Sequence, residues 1–290
     1  MTTTTSPPRG GFGYRHPNLR LAGLLTAPMA WLVVVYLGSL AALFITAFWT
    51  VDDFTGKLVR DFTLQNFQQV FTTPAYLSAM LRTLSIALLV TLFCLVLALP
   101  LAFFMARVAN PKWRPLLVAL VLTPLWASYL VKVYAWRAML QPETGVLAWF
   151  LDPLGLDSPG YGYLGIVITL TYLWLPYMIL PIYAGLTRLP DSMLAASADL
   201  GARNGRTFRS VVMPLVFPSI VAGSIFTFSL SLGDYITAQI VGGKVTMLGN
   251  IVQTTYVTNL PFAAAVATIP VIIVLLYLLA VRRSGALDNL

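Results

Sequence analysis

Four polar residues near position 230 follow a helical spacing and are the first candidates for solute chemistry. Ser224, Thr227, Ser231 and Asp234 are separated by 3, 4 and 3 positions, so they share one stripe of a helix with 3.6 residues per turn. The surrounding residues are apolar, and in lipid such a polar stripe must face another helix or a water-filled path. A carboxylate in that path is a natural counter-charge for a cationic solute.

The same residues also have a purely structural interpretation. Serine and threonine hydroxyls can pack helices together, and Asp234 can cap a helix or pair with Lys132 or Arg137. The sequence leaves both interpretations open. The candidate substrate-pathway residues on this segment are Thr227, Ser231, Asp234 and Tyr235.

An aromatic group precedes them in the chain and suits the same kind of solute. Trp126, Tyr129, Trp136 and Arg137 fall within an arc of roughly 100° if their helix continues past Pro124. Aromatic faces attract an ammonium group by about 0.5–2 kcal/mol each. Trp and Tyr also populate the interfacial belts of membrane proteins. We favour the belt for Trp136 and the pathway for Trp126 and Tyr129.

Other chemistry is excluded by what the sequence lacks. The only cysteine is Cys94 and the only histidine is His16, so no internal disulfide, His-based metal site or catalytic dyad can form. No segment matches a P-loop, and the nearest approach, at residues 242–245, lacks the upstream glycine and the hydroxyl residue. We therefore expect no bound cofactor or metal and no ATP hydrolysis by this chain itself.

The amino-acid composition indicates whether these residues lie in water or in lipid. Of 290 residues, 58% are hydrophobic and 10% are charged, against roughly 25% charged in a soluble domain. The mean hydropathy is +0.82. These values exclude a soluble enzyme, a nucleic-acid binder and a disordered protein, although the formal net charge is +8.

Six apolar segments are long enough to cross a bilayer, which needs around 20 residues. They lie at residues 21–49, 84–106, 116–140, 163–186, 215–236 and 262–281. The sequence thus predicts an all-α integral membrane protein with a six-helix domain at residues 20–283. Residues 1–19 are predicted to be a disordered cytoplasmic tail, and residues 284–290 a short cytoplasmic tail.

Basic residues predict the orientation of the spans. Twelve of the 18 lysines and arginines fall on one face of the predicted topology, and six of the ten acids fall on the other. By the positive-inside rule the basic face is cytoplasmic, so both termini are expected there, as an even number of spans requires. The twelve are Arg9, Arg15, Arg20, Arg107, Lys112, Arg114, Arg188, Arg203, Arg206, Arg209, Arg282 and Arg283.

The basic loop at residues 187–213, named here the coupling loop, has a distinctive pattern. A helix-start signal at residues 190–192 precedes a helix of small residues at 193–200, which Gly201 ends. A second short helix is predicted at residues 206–212, running into Pro214. Small side chains allow another protein to approach closely, whereas the plainer interpretation is an amphipathic loop on the membrane surface.

This loop resembles the signature of ABC-importer permeases. Ala195-Ala196-Ser197, three residues, Gly201, nine residues and Val211-Val212-Met213-Pro214 match the family pattern of Glu-Ala-Ala, three residues, Gly, nine residues and Ile-x-Leu-Pro. Ala195 replaces the family glutamate. The resemblance implies that the loop docks as a coupling helix into a cytoplasmic ATPase subunit, which binds the ATP. It implies contact and turn positions at Ala196, Gly201 and Ala202.

Further motifs are similar to the first permease of spermidine/putrescine-type importers. They are Thr123-Pro124-Leu125-Trp126, Tyr134-Ala135-Trp136, Gly233-Asp234-Tyr235, Gly242-Gly243 and Met247-Leu248-Gly249-Asn250. The resemblance implies a type I ABC importer permease fold in the inner membrane and alternating access to a small cationic solute. It also implies a second homologous permease, two cytoplasmic ATPases and an extracytoplasmic substrate-binding protein.

Two alternatives stay open on the sequence alone. One is a secondary transporter or channel driven by an ion gradient, although Asp234 is the only acid in a predicted span and no inverted repeat is evident. The other is an ABC permease for a different small solute, such as an amino-acid-like compound. A membrane-embedded enzyme is disfavoured, because no nucleophile–base set is present.

Overall fold

The computed structural model describes residues 25–52 and 55–283. The predicted tails at 1–19 and 284–290 lie outside the described residues, as do Arg9, Arg15 and Arg20. The helices, in chain order, are α1 (Leu25–Thr46), α2 (Gln65–Thr72), α3 (Pro74–Val108), α4 (Arg114–Trp126), α5 (Tyr129–Met139), α6 (Val146–Leu151), α7 (Tyr163–Thr187), α8 (Asp191–Asp199), α9 (Asn204–Leu232), α10 (Ile236–Val241), α11 (Leu248–Thr255) and α12 (Leu260–Arg283).

A short β-hairpin lies between two of these helices, and π-helical turns occur within others. Strands β1 (Thr50–Val51) and β2 (Leu58–Val59) form a two-stranded antiparallel hairpin between α1 and α2. Two of the long helices contain π-helical turns where they meet the coupling loop, at Phe104–Val108 in α3 and Phe208–Val212 in α9. Such turns are rare and are found mostly at functional positions.

Five described helices are long and apolar enough to cross a membrane: α1, α3, α7, α9 and α12. The predicted third span is different, because α4 and α5 meet at a bend of 91°. The expectation of one helix through residues 116–140 is therefore wrong. The break falls after Trp126, where Ala127 and Ser128 adopt extended backbone, while Pro124 lies inside α4.

Contacts at the two ends of α3 and α7 show that these helices run in the same direction. Near the beginning of α7, the hydroxyl of Tyr163 donates to Ser85 Oγ of α3 at 2.9 Å. Near the end of α3, Arg107 donates to the carbonyl oxygen of Leu186 in α7 at 2.7 Å. The segment between two parallel helices must return the full length of the bundle.

Helices α4 and α5 form the segment that runs back along the bundle between α3 and α7. The hydroxyl of Tyr161, just before α7, donates to the carbonyl oxygen of Arg137 in α5 at 3.1 Å. The end of α5 therefore lies beside the beginning of α7. Together α4 and α5 cross from one end of the bundle to the other, and they make the sixth crossing despite their bend.

The core lies where α3, α7 and α9 pack together. On α3 the buried face carries mostly small side chains at helical spacing, which let neighbouring helices approach closely in lipid. Its members in the largest cluster are Ile86, Val90, Cys94, Ala98, Ala102, Met105 and Ala106. The end of α1 and the beginning of α12 meet through Ala47, Ala264 and Ala265.

Candidate solute pathway and coupling loop

The segment after α9 is a break in the helix, and Asp234 lies within it. Helix α9 ends at Leu232 and α10 begins at Ile236, so residues 233–235, named here the Gly-Asp-Tyr segment, connect two helices. The predicted continuous span to residue 236 is therefore wrong at its end. Asp234 is not on the helix that carries Thr227 and Ser231.

Asp234 is buried, with 7% of its surface exposed, and hydrogen bonds hold its carboxylate. Its Oδ1 accepts from the backbone N–H of Thr237 at 2.9 Å, and its Oδ2 accepts from the Thr237 hydroxyl at 3.2 Å and from the Tyr129 hydroxyl. The carboxylate thus caps the beginning of α10, as one of the two interpretations expected. Within residues 25–52 and 55–283, no ion pair to Asp234 is found, so neither Lys132 nor Arg137 neutralises it.

Tyr129 brings the other break in the bundle to the same place. It is the first residue of α5, immediately after the 91° bend. Its ring stacks on Trp174 of α7, with centroids 6.0 Å apart, and its hydroxyl also shares a hydrogen bond with Thr237 Oγ1 at 2.7 Å. The interrupted third and fifth spans therefore meet at Tyr129 and Asp234. Irregular backbone at membrane depth is tolerated where protein buries it or where it lines a water-filled cavity.

The hydroxyls of the predicted stripe are buried and satisfied within the bundle. Thr227 donates to the carbonyl oxygen of Gly223 at 3.2 Å, and Ser231 donates to that of Thr227 at 2.7 Å. Ser224 shares a hydrogen bond of 2.6 Å with the hydroxyl of Tyr277 in α12. The first two bonds lie within α9, and the third joins α9 to α12.

The aromatic residues do not share one face. The arc predicted for Trp126, Tyr129, Trp136 and Arg137 required a continuous helix, and the bend after Trp126 separates them. Trp126 is 90% exposed on the outside of this chain. Trp136 packs against Tyr172, with ring centroids 5.3 Å apart. Of this group, Tyr129 is the residue that reaches Asp234.

Two neighbours of the Gly-Asp-Tyr segment were missed as functional positions. Asn250 in α11 donates from Nδ2 to the carbonyl oxygen of Tyr235 at 2.9 Å, and its Oδ1 accepts from the N–H of Met247 at 3.1 Å. Gly249 packs so closely that a Cβ there would lie 2.8 Å from the Tyr235 Cβ. In the sequence, the signal that could have identified these two positions was a Gly-Asn pair at the beginning of a helix.

A cavity of about 620 Å³ opens beside this segment. It lies between the end of α9, α11 and the part of α12 that contains Pro270. Its lining is mainly apolar, with two tyrosines and one amide among its side chains. They include Tyr235, Gly249, Val252, Gln253, Tyr256 and Pro270.

The coupling loop forms a helical hairpin at the opposite end of the bundle. Helix α8 is followed by Gly201 with φ +77°, the left-handed conformation expected there. Ser197 and Thr207 share a hydrogen bond of 2.9 Å across the hairpin. Ala195 and Ala196 are exposed, and Ala202 is half-buried.

One prediction for this loop is wrong. Residues 206–212 do not form a separate short helix, because they belong to the continuous helix α9, which passes through Pro214. A π-helical turn at Phe208–Val212 carries the chain into the span. Pro214 fits because it lies at the beginning of the α-helical part that follows.

The described residues form a bundle of apolar spans with an exposed helical hairpin at one end. The chain belongs to the family of binding-protein-dependent transport system inner membrane components, whose model matches residues 98–284. It is an ABC importer permease subunit and a multi-pass protein of the inner membrane. It is non-catalytic, since in this family the ATPase is a separate subunit.

Curated relatives cover nearly the whole chain. It is 44% identical to the inner membrane ABC transporter permease protein YdcU of Escherichia coli K12, over 100% of this chain and 99% of the relative. It is 34% identical to the spermidine/putrescine transport system permease protein PotB of the same organism, over 92% of this chain and 98% of the relative.

Solved structures show the same fold. The bundle superposes on a bacterial ABC transporter involved in import of the acidic polysaccharide alginate, with a TM-score of 0.68 at 16% identity. The match covers 93% of this chain and 97% of that chain. The predicted all-α fold of a type I ABC importer permease is confirmed.

Proposed function

We propose that this permease moves a small organic cation of the spermidine/putrescine class into the cytoplasm, in an ATP-driven importer working by alternating access. The observation that carries the proposal is the buried carboxylate of Asp234, which lacks an ion pair within the described residues and lies where two interrupted spans meet. A buried carboxyl group that no basic side chain pairs with can take a cationic solute as its counter-ion.

The surroundings of the segment support the same solute. Tyr235 is partly exposed, and with Tyr256 it lines the adjoining cavity of about 620 Å³. Aromatic faces suit an alkyl ammonium ion. The name of the PotB relative points to the same solute class.

The orientation and the partners belong to the same proposal. The basic end of the bundle, with the coupling loop, faces the cytoplasm, and both termini lie on that side. The loop docks on one of two ATPase subunits, with Ala195, Ala196, Ser197, Gly201, Ala202 and Pro214 as its signature positions. A second homologous permease completes the path, and an extracytoplasmic binding protein delivers the solute to it.

In this mechanism, movement of the ATPases displaces the coupling loop and rocks the spans. The path beside the Gly-Asp-Tyr segment then changes the side on which it is open. A pull-down of the tagged chain from its native membrane in mild detergent tests the assembly. Recovery of a P-loop ATPase and a second permease is the expected result, and recovery of the folded chain alone would contradict it.

A further inference from the structure

The guanidinium of Arg107 joins three helices at one point. Arg107 lies in the π-helical last turn of α3. Its Nη1 donates to Asp191 Oδ1 at 2.6 Å, in the first turn of α8. Its Nη2 donates to the carbonyl oxygen of Leu186 at 2.7 Å, in the last turn of α7, and to that of Leu189 at 2.5 Å, two residues beyond the end of α7. One side chain thus holds the end of α3, the end of α7 and the beginning of the coupling helix together.

The chemistry of helix ends explains why an arginine fits here. The last carbonyl groups of a helix lack partners in that helix and carry a partial negative charge, so a cation with several N–H groups satisfies them. Arg107 is 17% exposed and Asp191 is 92% exposed. Since water screens an exposed ion pair, the two carbonyl bonds hold the arginine and the aspartate connects it to α8.

Packing around Arg107 is incomplete between α8 and the bundle. A cavity of about 220 Å³ lies there, with a mainly apolar lining. Its lining includes Phe103, Arg107, Leu194, Ala198, Phe208 and Val212. Close-packed side chains transmit displacement, and a cavity interrupts that contact. The bonds of Arg107 bridge this cavity, beside which Leu194 of α8 packs against the core.

We propose that Arg107 is a positioning residue that transmits the displacement of α8 to α3 and α7. This inference rests on the proposed function, in which the coupling loop receives the movement of the ATPase. A lysine cannot replace the guanidinium, because its single ammonium does not reproduce a planar fork that spans the carbonyls and the carboxylate. Without the fork, ATP hydrolysis continues but moves the spans less often.

The test uses the complete importer, with its second permease, ATPases and binding protein, in proteoliposomes. Uptake of radiolabelled putrescine and ATP hydrolysis are measured in the same vesicles for the wild type, Arg107→Gln and Arg107→Lys. Lys112→Gln is the matched control, since Lys112 is an exposed basic residue just after α3 and outside the coupling loop. We expect about tenfold less putrescine per ATP hydrolysed for Arg107→Gln, a smaller loss for Arg107→Lys and no change for the control.

Two results would overturn the inference. One is an unchanged ratio of uptake to hydrolysis in Arg107→Gln. The other is failure of both Arg107 variants to assemble while Lys112→Gln assembles, because Arg107 would then be needed for folding alone. Stimulation of ATP hydrolysis by the binding protein is followed as a second readout. If the wild type shows stimulation without putrescine uptake, the proposed solute is wrong. In that case the inference is supported if Arg107→Gln loses the stimulation, and it is overturned if Arg107→Gln retains it.

Discussion

The hydroxyl of Tyr129 donates a hydrogen bond to the carboxylate of Asp234, across 105 positions of the sequence. Tyr129 begins the helix after the bend in the third span, and Asp234 lies in the break after α9. The contact therefore fixes two interrupted spans to each other. It joins the carboxyl group proposed to attract the solute to the bend in the third span.

Replacing the carboxylate of Asp234 tests whether its charge acts on the solute. Asp234→Asn keeps an oxygen that can accept from the N–H of Thr237, so the cap of α10 is retained. We expect putrescine uptake to fall about tenfold, equivalent to about 1.4 kcal/mol of lost attraction. Asp157→Asn, at an exposed position, is the control. If the affinity for putrescine and the rate of its uptake are unchanged in Asp234→Asn, the carboxylate has a structural role only.

Removing the hydroxyl of Tyr129 tests the contact between the two breaks. Tyr129→Phe retains the ring that stacks on Trp174 and removes the hydrogen bonds to Asp234 and Thr237. We expect the free energy of unfolding to fall by about 1.5–3 kcal/mol, the usual contribution of a hydrogen bond to a charged group. Thermal denaturation in detergent measures it, with Tyr134→Phe, 56% exposed on the same helix, as the control. Equal melting temperatures for both variants would argue against the contact.

Enlarging Gly249 tests whether α11 holds the Gly-Asp-Tyr segment in place. In Gly249→Ala the new Cβ would lie 2.8 Å from the Tyr235 Cβ and 3.1 Å from the Asp234 carbonyl oxygen. We expect a destabilisation of about 1–3 kcal/mol and reduced uptake, because the segment must shift. Gly38→Ala, where nothing lies within 4 Å of the new atom, should leave both unchanged or slightly improved. A fully active, stable Gly249→Ala would contradict this role.

A bulky residue at Gly201 tests docking of the coupling loop. Its φ of +77° costs a side-chain-bearing residue about 1–2 kcal/mol, and a Cβ there meets nothing within 4 Å in this chain. The tryptophan side chain in Gly201→Trp would therefore obstruct a partner protein and not this chain. We expect the ATPase to be lost from the pull-down and its stimulation to disappear. Gly56→Trp, with φ +64° and equally open space in the hairpin, is the control and should retain both.

Hydropathy predicted the spans well, because long apolar runs must lie in lipid whatever their detailed packing. The sequence was less informative about where spans are interrupted. Pro124 was the visible break signal, yet it lies inside α4, and the chain bends three to four residues later, at Ala127 and Ser128. That bend accompanies the contacts of Tyr129 with residues more than 100 positions away, and no local pattern encodes them.

The candidate site was predicted in part for the same reason. Polar spacing identified Asp234 correctly as unusual, but extended its helix beyond Gly233, where α9 has already ended. The roles of Thr237 and Asn250 follow from their bonds to the break, which require the folded chain. Gly201 was predicted correctly, because a left-handed turn after a helix is a local property of glycine.

The central claim is that ATP, through this permease, drives uptake of a small organic cation. The most direct measurement is uptake of radiolabelled putrescine into proteoliposomes that contain the complete importer, with ATP on the ATPase side and loaded binding protein on the other. We expect uptake that requires ATP and the binding protein and is unaffected when ionophores dissipate ion gradients. Uptake that follows an imposed ion gradient, with no ATPase present, would contradict the account.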